Sequence, residues 1–159
     1  MKRVVYLVAM MVLAAVAAGP LMAQANPFVG TWKLNVPKSK YEGAPAPKSL
    51  TRTVTAEGSA LKYSFEGEAA DGSKISYSFT SKLDGSDSAV TGVGMAGGAD
   101  TVALSKLSAH KITGVTKKGG KEIGKVLVDI SVDGKTITVK TSGKIDGKEV
   151  KTEQVYDKQ

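Results

Sequence analysis

Ala60-Leu61-Lys62-Tyr63-Ser64-Phe65-Glu66-Gly67-Glu68, then Asp71-Gly72, then Lys74-Ile75-Ser76-Tyr77-Ser78-Phe79-Thr80-Ser81, is the stretch that decides the fold class. In the first run Leu61, Tyr63 and Phe65 alternate with Lys62, Ser64 and Glu66; in the second, Ile75, Tyr77, Phe79 and Ser81 alternate with small polar residues. A period of two places alternate side chains on opposite faces of an extended chain, one buried and one wet. Asp71-Gly72 between the runs suits the positive backbone angles of a tight antiparallel turn. The unit reads as a β-hairpin with an aromatic inner face.

The same pattern continues outward in both directions. Further turn signals stand at Glu57-Gly58, Asp84-Gly85, Gly119-Gly120, Asp133-Gly134 and Asp146-Gly147, and each predicts a hairpin. Val126, Val128, Ile130 and Val132 repeat the alternation late in the chain, and no segment sustains a helical period. Strands are predicted over 30–36, 50–56, 60–68, 74–83, 89–92, 100–107, 111–117, 121–132, 135–142 and 148–156. So many strands joined by tight turns leave two raw edges unless first and last pair, which predicts an all-β, up-and-down antiparallel barrel of about eight to ten strands. A Greek-key sandwich would need a long crossover, and only 37–49 and 93–99 are long enough. Pro37, Pro45 and Pro47 disfavour more than a helical turn in the first. The glycine-rich second is either a rim loop or a plain long connection.

The front of the chain carries a different message. Lys2 and Arg3 precede an apolar run from Val4 to Ala18, Gly19-Pro20 breaks it, and Ala23-Gln24-Ala25 offers a small-residue cleavage site. Residues 1–25 read as a helical signal peptide, with 26–159 as one domain destined for the periplasm or for secretion. The run is about 15 residues, short of the roughly 20 that span a bilayer, so no stable membrane anchor is expected. With no cysteine, disulfides, thiol chemistry and a lipid-modified cysteine are excluded. Without the leader, 20 basic residues face 15 acidic ones, a net charge of about +5.

Asn26-Pro27-Phe28-Val29-Gly30-Thr31-Trp32-Lys33-Leu34 at the front of the domain and Thr152-Glu153-Gln154-Val155-Tyr156-Asp157-Lys158 at its end resemble the calycin superfamily, the lipocalins and fatty-acid-binding proteins. Closer still is the resemblance to bacterial exported lipocalin-like proteins. It implies a barrel whose base is closed by Gly30 and Trp32 and whose other end opens onto a ligand cavity. Two departures alter what it implies about ligand. The helical portal of fatty-acid-binding proteins has no counterpart in 37–49, and their last-strand Arg-x-Tyr pair is matched here by Gln154 and Tyr156, an amide replacing the cation. Arg52 is the only arginine after the leader and shares a strand face with Leu50 and Val54. Its head is placed in the cavity, over Trp32, or out in solvent along a packed stem.

Candidates for catalysis are sparse. His110 is the single histidine and falls in a predicted turn, so with no cysteine it makes neither a histidine-rich metal site nor a Cys/His one. Asp129 alternates with the valine face and is read as facing either solvent or a wet cavity. The lysine clusters Lys117-Lys118-Gly119-Gly120-Lys121 and Lys33, Lys38 and Lys40 lack the arginines and stacking aromatics of nucleic-acid readers, and are taken as guards of strand edges. The expectation is a monomeric, non-enzymatic protein without metal, cofactor or nucleic acid. It holds a small apolar or amphipathic ligand through Arg52, Tyr63, Phe65, Tyr77, Phe79, Gln154 and Tyr156, with Val126, Val128 and Ile130, or the opposite face of their strand, as further lining. The alternative is a cell-envelope interaction module whose barrel is filled by its own side chains.

Overall fold

The computed structural model describes residues 25–159. Apart from Ala25, the signal-peptide reading lies outside the described residues. Among those described, no helix is long and apolar enough to cross a membrane. One antiparallel sheet holds twelve strands: β1 (Gly30–Leu34), β2 (Lys40–Glu42), β3 (Ser49–Glu57), β4 (Ala60–Glu68), β5 (Lys74–Ser81), β6 (Asp84–Ala89), β7 (Thr91–Val93), β8 (Thr101–Ser108), β9 (Lys111–Lys118), β10 (Lys121–Ile130), β11 (Thr136–Ile145) and β12 (Lys148–Lys158). Two single-turn 3-10 helices, Val36–Lys38 and Ala96–Gly98, are the helical content of the described chain.

The strands are ordered β6-β8-β9-β10-β11-β12-β1-β3-β4-β5-β7, with β2 added alongside β12. First and last strands do pair, Trp32 opposite Lys158 and Leu34 opposite Tyr156, which removes the two edges that a linear meander would expose. The remaining seam lies between β5 and β6, which adjoin without a ladder. Residues 84–93 span it. They begin as β6 on β8, with Ser88 opposite Val102, and end as β7 on β5, with Gly92 opposite Tyr77. The result is a nearly closed barrel.

Three details correct the sequence reading. Asp84-Gly85 does not turn a hairpin. The chain turns a little earlier, at Leu83 in the left-handed region (φ 59°), where the Leu83 N–H donates to Ser81 Oγ at 3.1 Å. Asp84 then lands opposite Ser105 of β8, and the extra residues form an irregularity in β6. The proline-rich segment 37–49 contains the short strand β2, with Tyr41 opposite Thr152, and 89–92 divides between β6 and β7. The count is therefore twelve. Treating β6 and β7 as one stave and setting β2 aside leaves ten around the barrel.

The core fills the end of the barrel where β1 pairs with the end of β12. Phe28, Trp32, Val54, Tyr63, Ile112 and Ile137 are completely buried there. The Trp32 indole N–H donates to the Phe28 carbonyl at 3.1 Å, so a large apolar ring fills the base with its one polar atom satisfied. The Lys158 ammonium lies 5.0 Å from the Trp32 ring centre. Gly30 makes room for it: a side chain there would stand 3.1 Å from Lys158 Cε, at a φ of +143°. On the outer face Asp129 pairs with Lys111 at 3.1 Å, and His110 lies in an exposed turn.

Candidate functional site

Above this base, the inward faces of the strands enclose a cavity of about 480 Å³. One wall comes from the hairpin β4–β5. Its cross-strand partners Phe65 and Tyr77 stack at 4.6 Å, and Phe79 lies 6.1 Å from Phe65. The facing wall is aliphatic, with Val126 and Val128 of β10 and Val139 of β11, while Val102 and Leu104 of β8 fill between them. Period two makes both walls: the same alternation that sends lysines and serines outward sends these side chains in. The mouth is at the opposite end from Trp32, bordered by exposed Pro45, Asp71 and Ala96 and by the half-buried Met95, Ile123 and Ile145.

Polar groups enter the lining along one side. Gln154 and Tyr156, two apart on β12, point in together; the Tyr156 hydroxyl donates to Gln154 Oε1 at 2.9 Å, and Gln154 Nε2 donates to the Tyr41 hydroxyl at 3.4 Å. Thr141 and Thr152 share a hydrogen bond next to them. Burial pushes the Tyr156 phenol far above the ordinary phenol range, helped by Tyr77 and opposed by the Arg52 charge. Burial does the same to Tyr77, again opposed by Arg52. Tyr41 is raised by burial too, less the effect of its bonds with Gln154 and Ser39. These phenols are protonated at neutral pH and act as neutral hydrogen-bonding groups.

Arg52 of β3 resolves its three possible placements in favour of the cavity. It lines the cavity wall and is 4% exposed. Its guanidinium carbon lies 5.2 Å from the Tyr63 ring centre and 5.8 Å from that of Phe65, within cation–π range. It does not stack on Trp32, whose face Lys158 takes instead. Among the described residues no carboxylate forms an ion pair with it, and its buried Nε has no hydrogen-bond partner.

Of the residues singled out from sequence, Arg52, Phe65, Tyr77, Phe79, Gln154 and Tyr156 all border the cavity. Tyr63 stands one pleat deeper, fully buried and outside the lining, with its ring stacked on Phe79 at 4.9 Å and its hydroxyl unpartnered. Val126 and Val128 line the cavity, whereas Ile130 sits in the core below. Gly30 and Trp32 lie at the base. Sequence reasoning missed Val102, Leu104 and Val139 of the walls, the Thr141–Thr152 pair and, in the polar row, Tyr41. The only signal for Tyr41 is the alternation Lys40-Tyr41-Glu42, three residues long inside a proline-rich segment.

A nearly closed antiparallel barrel with a plugged base and an internal cavity is a calycin-like fold, and a solved structure of that fold matches it. The barrel is similar to zebrafish ileal bile acid-binding protein, solved in complex with cholic acid, at 13% identity and a TM-score of 0.50, covering 84% of this chain and 99% of that one. It is also similar to the siderocalin Ex-FABP, at 12% identity and a TM-score of 0.37, covering 84% and 74%. No protein-family model matches the sequence, and no curated protein does. The chain has a lipocalin/calycin-like fold.

Proposed function

We propose that residues 26–159 form an exported, monomeric, non-enzymatic binding protein that holds a small apolar or amphipathic molecule inside its barrel. The observation that carries this reading is the cavity itself: about 480 Å³, walled by stacked aromatic rings on one side and valines on the other, with a short row of polar groups. That composition favours holding and orienting a molecule, since phenols, an amide and threonines near neutral pH offer hydrogen bonds and no proton transfer. The cavity also speaks against the alternative of a barrel packed solid with its own side chains. The zebrafish protein of similar fold was solved with cholic acid.

Native mass spectrometry of residues 26–159 purified from the producing organism, followed by organic extraction, tests the proposal. The expected result is a discrete extra mass that organic solvent releases. Protein that flies bare and also takes up no apolar fluorescent dye would overturn it.

A further inference from the structure

Residues 94–99 cross the mouth of the barrel. The segment leaves β7, which is paired with β5, and its 3-10 turn Ala96–Gly98 packs against β11 before the chain enters β8. Gly94 seats it on the near side, where a side chain would stand 2.9 Å from Ile75 Cα. Gly97, at a φ of +68°, brings its backbone against the far side, where a side chain would stand 3.0 Å from Ile123 Cδ1 of β10 and 3.5 Å from Ile145 Cγ1 of β11. Since β7 stands at the end of the strand order and β11 near its middle, the segment is a strap over the opening and not a simple turn.

The strap is held down by apolar contact. Its two backbone bonds, from the Gly98 N–H to the Met95 carbonyl at 3.0 Å and from the Ala99 N–H to the Ala96 carbonyl at 3.4 Å, are internal. Among the described residues no backbone hydrogen bond ties 95–98 to the barrel wall. Set among glycines and alanines, Met95 is its one long side chain; it is half-buried, lines the cavity and packs against the core. It is also the only methionine after residue 25, and with no cysteine in the chain its thioether is the only sulfur of the domain.

We propose that Met95 is an oxidation-sensitive latch: a peroxide that converts its thioether to the sulfoxide releases residues 94–98 and opens the mouth. This rests on the binding function proposed above and adds a means of discharging the molecule held. A sulfur lone pair takes one oxygen from the peroxide, the O–O bond breaks and the proton passes to the departing oxygen. With hydrogen peroxide the second product is therefore water, and sulfur alone is oxidised. A thioether packs as an apolar group, whereas a sulfoxide is polar and accepts hydrogen bonds. Burying it without a donor is unfavourable, and the side chains that meet the strap at Gly94 and Gly97, those of Ile75, Ile123 and Ile145, have none. Turned toward water, the sulfoxide no longer holds the strap against the cavity.

The test loads residues 26–159 with the uncharged dye N-phenyl-1-naphthylamine and follows its dissociation by stopped-flow fluorescence before and after hydrogen peroxide. The expected result is a gain of one oxygen atom, located at Met95 by peptide mass mapping, with dissociation about fivefold to a hundredfold faster. Methionine sulfoxide reductases should restore the starting rate. Met95→Leu, which keeps an apolar side chain and has no sulfur, should bind dye and ignore the peroxide. Met95→Gln, polar without oxidation, should release dye fast from the start. An oxidised Met95 with dissociation within about twofold of the starting rate overturns the latch and leaves the carrier reading standing. So does a Met95 left intact by peroxide that fully oxidises N-acetylmethionine, or an equal acceleration in Met95→Leu. Protein that takes up no dye in either state overturns both readings.

Discussion

Trp32 concentrates at one position most of what closes the lower end of the barrel. Its ring has no solvent exposure, its N–H is satisfied by the Phe28 carbonyl, and Lys158 covers its face. Phe28 is itself buried only because the turn before β1 folds back, with the Phe28 N–H donating to Asn26 Oδ1 at 3.1 Å. Trp32→Ala would empty the base and leave that carbonyl without its donor, costing about 3–5 kcal/mol. Trp32→Phe would keep most of the apolar volume, lose the hydrogen bond and cost about 1–3 kcal/mol. Urea unfolding followed by far-ultraviolet circular dichroism measures both, since the substitution removes the only tryptophan fluorophore. Losses below about 1 kcal/mol for the alanine variant would mean that the base is held by other contacts.

Strand ends, at the scale of the element, depend on aspartates that tie turns to their own backbone. Asp100, just before β8, accepts the Gly119 N–H at 2.7 Å and the Thr101 hydroxyl at 2.9 Å, joining that strand to the tip between β9 and β10. Asp133 accepts the Ser131 hydroxyl and the Lys135 N–H, and Asp71 accepts the hydroxyl and N–H of Ser73. These bonds hold all three carboxyls below the ordinary carboxylate range: for Asp100 the Gly119 N–H acts most, for Asp133 the Ser131 hydroxyl, for Asp71 the Ser73 hydroxyl. A carboxyl with a depressed folded pKa stabilises the fold above its unfolded pKa, and that contribution is lost as pH falls through the folded value. Melting temperature should therefore be level at neutral pH and fall below about pH 4, with a shallower fall in the double variant Asp100→Asn, Asp133→Asn; circular-dichroism melts across a pH series check it. At this same scale the sequence is most legible. Period two shows which side chains of 60–68 and 74–81 share a face, because burial of one side of a sheet imposes it directly. It does not show depth along the barrel axis, which separates Tyr63 in the core from Phe65 in the cavity wall. Nor does Asp-Gly say which turn it makes: at Asp71-Gly72 it joins paired strands, whereas at Asp84-Gly85 it bends a strand already committed to β8, a choice made by long-range pairing. Tyr41 was illegible because three residues are too few to display a period.

On the scale of the whole molecule the ladders run unbroken from β6 round to β5, and the seam between β5 and β6 is bridged by the three-residue strand β7. Gly92 is what lets β7 approach. It faces Tyr77 across the ladder at a φ of +109°, and a side chain there would meet the Ser76 carbonyl oxygen at 2.1 Å, a distance that only a shift of backbone can relieve. Gly92→Ala should lift β7 off β5 and cost about 1–3 kcal/mol, while the ladders from β8 round to β5 remain paired. The effect should then be local. Hydrogen exchange should quicken at residues 76–78 and 91–93 and stay slow in β10, β11 and β12. Tyr77, an aromatic member of the cavity wall, lies on the strand so released, so the variant should also let a cavity dye dissociate faster. Gly119→Asn, at the β9–β10 tip where a side chain would meet nothing within 4 Å and asparagine tolerates the left-handed backbone, should change neither. Unaltered exchange across 76–78 in Gly92→Ala would show that the seam is held by the side chains packed beneath it, and the short strand would then be a consequence of closure and not its cause.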